Sequence, residues 1–519
     1  MKAADIRPDQ ALAESSVHAD KRIYHTFERV HIFVLFLLFA APIFLLITYN
    51  SGYGQDQLEY LVLGRSLTEG YPLYHWFPSK SVGIYAFVAV LYRLGVGFGH
   101  LSDSLVLTLI FLSMLVATYA VVRATATSIA ALFASVLVAL SAVFMEMTFL
   151  ETEPFVFLSG VLGYYLLLNR KHGEDYGAFL SGVAIGLGMA FKSVAAFYAI
   201  AAALYLVIVA FRTDRLRSCI THRLPSLAAG FLLSSAIPAA YFALTGRFNP
   251  YWRWSVTFPL FDYPSNTVYL PKLYSKLLFI HFIFLSAIVL SLRSCLRREI
   301  YSNGAAILAL LLAMVSYLAI FKTQASHYCF PGAAFLSIFA AIVIARSLEL
   351  YNNKHAPVLS HVVAYGFGVV SLTIVSAWLY QPAALKRFFG IRDFSREEHE
   401  TAERFQSLVP IDKHMLMTRP SEGARAYWLA HRYPPLPFIL TDQRAIWFLR
   451  HNADVVTSSL DDPDLVLVGF KQNDPQMEDP GLGGSPDAPA LWDPFFQHLK
   501  ERFVPFMEEP DGETLWRRK

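Results

Sequence analysis

The sequence predicts a polytopic α-helical membrane protein with about 11 transmembrane helices, a large first external loop and a small C-terminal α/β extracytoplasmic domain. Of the 519 residues, 55% are hydrophobic and only 16% are charged, a composition too apolar for an ordinary soluble protein. Most of the first 380 residues divides into apolar runs of the length that crosses about 30 Å of hydrocarbon. After Tyr380, charged residues, prolines and turn signals appear.

Eleven apolar runs are assigned as membrane crossings. They are residues 30–48, 103–122, 128–145, 154–168, 177–191, 195–211, 226–244, 273–291, 304–321, 329–348 and 358–379. The run from Val82 to Gly99 is short, contains Arg93 and ends in glycines, so we expect it to lie half-embedded on the outer surface. The basic loops around Arg215 and Arg297 then share the cytoplasmic side with the N-terminus, as the positive-inside rule requires.

This topology divides the chain into two domains. Residues 1–380 form the transmembrane domain, with 49–102 as its first external loop, and residues 381–519 form an extracytoplasmic domain. In the second domain, Ser395 to Leu408 and Asp493 to Phe503 have helical periodicity, whereas Met415 to Thr418 and Leu465 to Val468 are typical of strands.

Composition also bears on location and partners. The net charge of +3 is small, and the basic residues cluster in short loops between apolar runs, which gives no support for nucleic-acid binding. The three cysteines lie outside the C-terminal region, so no disulfide framework is expected there. We therefore expect a multi-pass protein of the inner (plasma) membrane, most consistent with a bacterial cell.

Two acidic stretches in the external regions contain candidates for chemistry. Asp56 follows a glycine-containing turn at the aqueous boundary, where a carboxylate can deprotonate a hydroxyl; the alternative is a solvated loop acid or a helix cap. Glu59 lies one helical turn further on. Glu146, Glu151 and Glu153 crowd a second external turn, where the alternative for the first two is interfacial snorkelling, and for Glu153 it is stabilisation of a helix start.

Cations fall at the same outer boundary: Lys80, Lys192, Lys322 and His327. They suit a lipid phosphate at headgroup depth, and the alternative for any one lysine is ordinary anchoring to membrane phosphates. Arg253 lies between two tryptophans in an aromatic loop that suits either a membrane-interface belt or stacking against a sugar.

The order of these motifs resembles the GT-C glycosyltransferases that use polyprenyl-phosphate sugars, above all the aminoarabinose transferases and protein O-mannosyltransferases. In that family, an Asp-Glu pair is followed by a tyrosine, a turn containing Gly and Tyr, and then Lys-Pro. The corresponding series here is Asp56, Gln57, Tyr60, Gly70, Tyr71, Tyr74, Lys80 and Ser81. Glu153-Pro154-Phe155 resembles its second acidic position, and His327-Tyr328 resembles the entry to a late span. The resemblance covers roughly residues 30–350. Gln57 and Ser81 depart from it.

The resemblance implies a membrane glycosyltransferase that moves a monosaccharide, with inversion, from a polyprenyl-phosphate donor to an acceptor hydroxyl of a glycan, lipid or protein on the extracytoplasmic face. Asp56 would be the general base and Glu153 a second catalytic residue. Substrate-binding roles fall to a further set: Glu59, Tyr60, Lys80, Lys192, Arg253, His327 and Tyr328. No cofactor is expected, and a divalent metal is not favoured, because Gln57 replaces one acid of a carboxylate pair.

Two other functions are compatible with the composition. A lipid or solute transporter should have ionisable groups near mid-membrane and broken helices in two related halves, neither of which is evident. A membrane scaffold would use the C-terminal domain to bind a partner without chemistry.

Overall fold

The computed structural model describes about half of the chain. The described residues are 44, 55–73, 81–97, 100–145, 147, 149–169, 173–262, 304–318, 326–351, 403, 406–407, 409–410, 412–417, 427–428, 431–434, 461–468, 501–508 and 514–519. The predicted crossings 30–48 (apart from residue 44), 273–291 and 358–379 lie outside them, as do Lys80, Glu146 and Lys322.

The described part of residues 1–380 is helical. Its main helices are α1 (Gln55–Thr68), α2 (Val82–Arg93), α3 (His100–Thr125), α4 (Ser128–Phe144), α5 (Glu153–Leu168), α6 (Glu174–Met189), α7 (Ala196–Arg212), α8 (Leu224–Leu244), α9 (Phe248–Trp252), α10 (Gly304–Tyr317) and α11 (Phe330–Tyr351). Eight of the eleven predicted crossings fall on α3 to α8, α10 and α11. Short 3-10 and π-helical segments join some of them, including Ser193–Ala195, Cys219–Arg223, Arg253–Asp262 and Ser326–Cys329.

Three described helices are long and apolar enough to cross a membrane: Ser102–Thr125, Ser193–Arg212 and Leu216–Leu244. Shorter apolar helices accompany them, among them Val82–Arg93, Glu153–Leu168 and Gly304–Tyr317. With 12 residues, α2 is about 18 Å long, which is too short to cross about 30 Å of hydrocarbon. Its length suits the half-embedded arrangement expected for this segment.

The helices pack through small residues as well as through apolar side chains. Gly182 on α6 lies against the backbone of α8 at Leu227, and Gly230 on α8 lies against the backbone of α6 at Phe179, so a Cβ at either glycine would overlap a carbonyl oxygen. Small residues let helix backbones approach closely where the surrounding lipid supplies no hydrophobic drive for association. The core further buries Phe157, Tyr198 and Phe335, and the ring of Phe335 on α11 contacts both Phe157 on α5 and Tyr198 on α7.

The connections between helices gather at two ends of this bundle. At one end, which we call the Glu153 end, α4 connects to α5, α6 to α7, and α10 to α11. At the other, the Arg223 end, α3 connects to α4, α5 to α6, and α7 to α8. The sequence predicts the same alternation of helix connections between the two ends. This alternation brings Lys192, His327 and the turn before Glu153 to one end.

The C-terminal region contains a four-stranded sheet in the order β1-β2-β4-β3. Its strands are β1 (His414–Met417), β2 (Leu465–Val468), β3 (Phe503–Glu508) and β4 (Thr514–Arg518). β1 and β2 are parallel, with His414 opposite Leu465, and β4 is antiparallel to both β2 and β3. The two predicted strands match β1 and β2. The predicted helix from Asp493 to Phe503 extends too far, since Phe503 begins β3.

Candidate active site

Gln57 fixes the start of α1 against the bundle. Its side chain is buried, and Nε2 donates to Asp103 Oδ2 in the first turn of α3 at 2.5 Å. Its Oε1 accepts from the backbone N–H of Leu150 at 3.2 Å, just before α5. An amide can donate and accept at once, whereas a carboxylate only accepts. The residue that departs from the family pattern therefore ties α1 to both α3 and the turn before α5.

This attachment brings Asp56 to two other potential ligands. Asp56 lies in the first turn of α1 and is half-buried, and the ligand atoms of Asp56, Glu151 and His327 all lie within 4.8 Å of one another. Glu151 is buried against protein rather than extended towards an interface, so the snorkelling interpretation is wrong for it. Its acidic turn was recognised in the sequence, but its proximity to Asp56 depends on the packing of α1.

A second group lies beside the first. Glu153, in the first turn of α5, is buried, and it accepts hydrogen bonds from the ammonium of Lys192 and from Thr152 Oγ1, the latter at 3.1 Å. The Lys192 ammonium also lies 3.2 Å from the centroid of the Tyr328 ring. Tyr328 and His327 are neighbours with ring centroids 4.3 Å apart, so the two groups share one surface.

α2 supports the backbone around Lys192. The N–H of Gly83 donates to Ala190 O at 2.7 Å, and a Cβ at Gly83 would lie 2.7 Å from that oxygen. Phe191 stacks on Phe155 with centroids 4.5 Å apart, and Phe87 contacts Phe155 at 4.8 Å. Only glycine allows so close an approach at position 83, which was not recognised in the sequence.

The remaining predicted residues have other surroundings. Glu59 is buried between α1 and α2, where it accepts a hydrogen bond from Tyr85 Oη at 2.7 Å. Tyr60 is fully buried and packs edge-on against Tyr85 at 5.8 Å. Arg253 begins the π-helical segment after α9 and is half-buried. The nearby residue that contacts the first external loop is Arg247, which donates to Leu73 O at 2.8 Å.

The donor set of Asp56, Glu151 and His327 fits a divalent cation by chemistry, since carboxylate oxygen and imidazole nitrogen are common ligands of Zn²⁺ and Mn²⁺. Glu59, the other carboxylate near the start of α1, is not among these three residues. The described acids at this end outnumber the described lysine, so a bound anion needs further positive charge here.

The Arg223 end has a different character. Glu174, in the first turn of α6, pairs with Arg223 and lies 3.8 Å from Arg215. Glu174 and Arg223 border a cavity of about 320 Å³ that is also lined by Thr125 and Asn169. Among the described residues that the sequence predicted to do chemistry, none lines this cavity.

The comparisons with known proteins agree with this architecture. Residues 79–242 match the family model described as dolichyl-phosphate-mannose-protein mannosyltransferase. The structure is similar to ArnT from Cupriavidus metallidurans bound to undecaprenyl phosphate, with a TM-score of 0.59 and 14% identity over 93% of this chain and 97% of that one. The apo state of that ArnT gives a TM-score of 0.56, also with 14% identity, over 93% of this chain and 98% of that one.

A third similar structure is the oligosaccharyltransferase AglB from Archaeoglobus fulgidus in complex with an inhibitory peptide and a dolichol-phosphate. It has a TM-score of 0.50 and 11% identity over 95% of this chain and 74% of that one. No curated protein matches the chain by sequence. These structural similarities show the fold. The resemblance expected from the sequence is confirmed at that level: the chain has the GT-C fold.

Proposed function

We propose that this chain transfers a monosaccharide from a polyprenyl-phosphate donor to an acceptor hydroxyl on the extracytoplasmic face of the inner membrane, with inversion and with Asp56 as general base. The observation that carries the proposal is the meeting of Asp56, Glu151 and His327 with the Lys192 and Glu153 pair at one end of the bundle. The bound undecaprenyl phosphate of ArnT and the dolichol-phosphate of AglB support a lipid-phosphate donor.

The proposed reaction uses the two groups of side chains at the Glu153 end. Asp56 accepts the proton of the acceptor hydroxyl, whose oxygen attacks the anomeric carbon from the face opposite the phosphate. The new C–O bond forms as the bond from that carbon to the phosphate oxygen breaks, and the electron pair leaves with the polyprenyl phosphate. An anionic phosphate needs no proton from an acid to depart, unlike the alkoxide of a glycosidase reaction.

Positive charge is what the departing phosphate requires. Lys192 is the described candidate, since its ammonium is fixed by Glu153 and by the face of Tyr328. Charged donors aimed at the developing negative charge lower the barrier most when they are already oriented. His327 would add a donor, and Lys80, outside the described residues, directly precedes Ser81 at the start of α2.

A divalent cation held by Asp56, Glu151 and His327 would supply positive charge for the same phosphate. A carboxylate that binds a cation is a weaker base, so Asp56 cannot serve fully in both roles. As a base, Asp56 should keep its function after chelation, and we expect turnover to survive EDTA treatment within twofold. Loss of turnover that Mn²⁺ or Zn²⁺ restores would make Asp56 a ligand instead.

Donor cleavage tests the proposal. Purified protein in nanodiscs should release free polyprenyl phosphate from a panel of polyprenyl-phosphate sugars when lipid extracts or glycans are supplied as acceptors, as read by mass spectrometry. The product should carry the inverted anomeric configuration by NMR. Movement of intact donor across a proteoliposome membrane, without cleavage by any acceptor, would contradict transfer and favour the transporter.

The positions of the buried charges argue against that alternative. Among the described residues, the buried charged side chains lie outside the middle of the long apolar helices: Glu59, Arg65, Asp103, Glu151, Glu153 and Arg223. Transporter sites are commonly built from ionisable groups and broken helices near the bilayer midplane.

A further inference from the structure

Arg65 lies in the last turn of α1, nine residues beyond Asp56, and is buried by residues that are far away in the sequence. Four residues of the C-terminal region surround its side chain; we call them the C-terminal clamp, and they are Trp428, His431, Arg432 and Tyr433. The helix that carries Asp56 in its first turn thus ends in a contact with the C-terminal region.

The guanidinium of Arg65 uses its donors on three consecutive residues of the clamp. Nε donates to Tyr433 Oη at 3.2 Å, one terminal nitrogen lies 2.9 Å from His431 Nδ1, and the other donates to the backbone oxygen of Arg432 at 3.2 Å. Because arginine has no lone pair to offer, His431 Nδ1 must be the acceptor. Such a fork fixes direction as well as distance, which a lysine at this position would not do.

Aromatic rings enclose the same guanidinium. Its central carbon lies 5.3 Å from the centroid of the Trp428 ring and 5.0 Å from that of Tyr433, both within the range of a cation–π interaction. Tyr71, just after α1, contacts Tyr433 at 5.2 Å, and Tyr92 on α2 contacts Trp428 at 6.2 Å. The clamp therefore holds both helices of the first external loop.

The clamp is itself anchored to the C-terminal sheet. The Arg432 guanidinium donates to the backbone oxygens of Val409 and Pro410, each at 2.9 Å, a few residues before β1. The backbone N–H groups of Arg432 and His431 donate to Tyr427 O and Trp428 O, at 2.9 and 3.2 Å. His431 has φ 51°, in the left-handed region that few non-glycine residues occupy, so its backbone conformation is held by its contacts.

We propose that Arg65 is a positioning residue for Asp56, and that the C-terminal region takes part in catalysis by fixing the far end of α1 through the clamp. Gln57 fixes the near end, and the two attachments lie about 12 Å apart along one helix. A helix held at one end only can tilt, and a base displaced by about 1 Å loses much of its effect. This inference rests on the proposed role of Asp56.

The test compares Arg65→Gln with Arg93→Gln, a matched change of an exposed arginine in the last turn of α2. For Arg65→Gln in the full chain, we expect kcat to fall tenfold or more with the KM for the donor within twofold, and hydrogen exchange of residues 55–68 to accelerate. Arg65→Lys should lie between the wild type and Arg65→Gln. Arg93→Gln should match the wild type in both measurements.

The exchange measurement separates this inference from the proposed function. If no donor is cleaved by the wild type, faster exchange across α1 in Arg65→Gln still supports the clamp while the function fails. Unchanged exchange together with unchanged kcat in Arg65→Gln would overturn the inference. So would a fall in kcat that Arg65→Lys and Arg65→Gln share equally while α1 exchanges as in the wild type.

Discussion

The two ends of the helix bundle each hold an ion pair between an acid and a base, with Glu153 buried at one end and Glu174 half-buried at the other, yet they differ in what surrounds the pair. At the Arg223 end, Glu174 meets Arg223 and Arg215, so arginines outnumber acids in that group. At the Glu153 end, the pair of Glu153 and Lys192 lies beside a second group formed by Asp56, Glu151 and His327. An ion pair alone does not mark a reaction centre. Our proposal places the reaction at the Glu153 end because several helix ends and the first external loop converge on one surface there.

The largest expected effect is a difference in kcat between two variants that each lose one carboxylate, one at each end of the bundle. Asp56→Asn should lower kcat by about 10²–10⁴-fold, the usual contribution of a general base. Asp175→Asn makes the same change at an exposed site in the first turn of α6, at the Arg223 end, and should leave kcat unchanged. Release of polyprenyl phosphate measures both. Equal turnover by the two variants would remove Asp56 as the base.

The next effect separates the two ion pairs. Lys192→Gln and Arg223→Gln each remove the nearest cation from a buried or half-buried acid, so both should lower the thermal midpoint. Lys192→Gln should also lower kcat by about 10²-fold, because an oriented charge next to the phosphate is lost. If kcat falls alike in both variants, the fall reports stability, and the two ends are functionally equivalent.

A smaller effect concerns the attachment of α1. Gln57→Glu sets a second carboxylate against Asp103 and removes the donor, which should lower the free energy of unfolding by about 1–3 kcal/mol. Adding Asp103→Asn supplies a new donor and should recover most of the loss, as read by thermal unfolding in detergent. Full stability of the single variant would show that Gln57 does not hold α1.

The smallest effect is a pH dependence of the clamp. Burial, followed by the charge of Arg65, lowers the pKa of His431 from its ordinary value, while Glu69 opposes the shift. The neutral ring is the form that accepts from Arg65, so the clamp is complete above the ordinary histidine pKa and weakens as the pH falls through the lowered one. Arg432 and Tyr433 also face this group.

The protection factors of the α1 amides, in which exchange rates are corrected for the pH dependence of the chemical exchange step, should therefore fall severalfold on acidification from pH 7.5 to 5. His431→Asn keeps an acceptor, tolerates the left-handed backbone and does not titrate, so its protection factors should depend less on pH. An identical pH response of the wild type and His431→Asn would exclude His431 as the source.

Local pattern was enough to predict the helices and the parity of their ends. Apolar runs with charged boundaries indicate where α3 to α8 lie, and parity then brings Glu153, Lys192 and His327 to one end. The sequence does not reveal contacts that depend on packing. Glu151 became part of the site because Gln57 accepts from Leu150, and Arg65 meets residues more than 360 positions away. Contacts between residues so far apart leave no periodic pattern in the sequence.

Glu59 and Tyr60 are residues that the sequence predicted to be part of the site and that the structure places in contacts within the scaffold. Both follow Asp56 on α1 and were expected to bind substrate, and the structure buries both against Tyr85 on α2. Their substrate-binding role stays a prediction, and their contacts give them a second one, in holding α1 to α2. A polar residue near a reactive one in sequence can support the scaffold of the site instead of its surface.

The most direct measurement is a cryo-electron microscopy structure of the Asp56→Asn variant in nanodiscs with a polyprenyl-phosphate sugar, carrying an antibody fragment for alignment. We expect the phosphate beside Lys192 and the sugar between it and position 56, at the Glu153 end. Donor phosphate bound instead in the cavity bordered by Glu174 and Arg223 would contradict the assignment of the reaction to the Glu153 end.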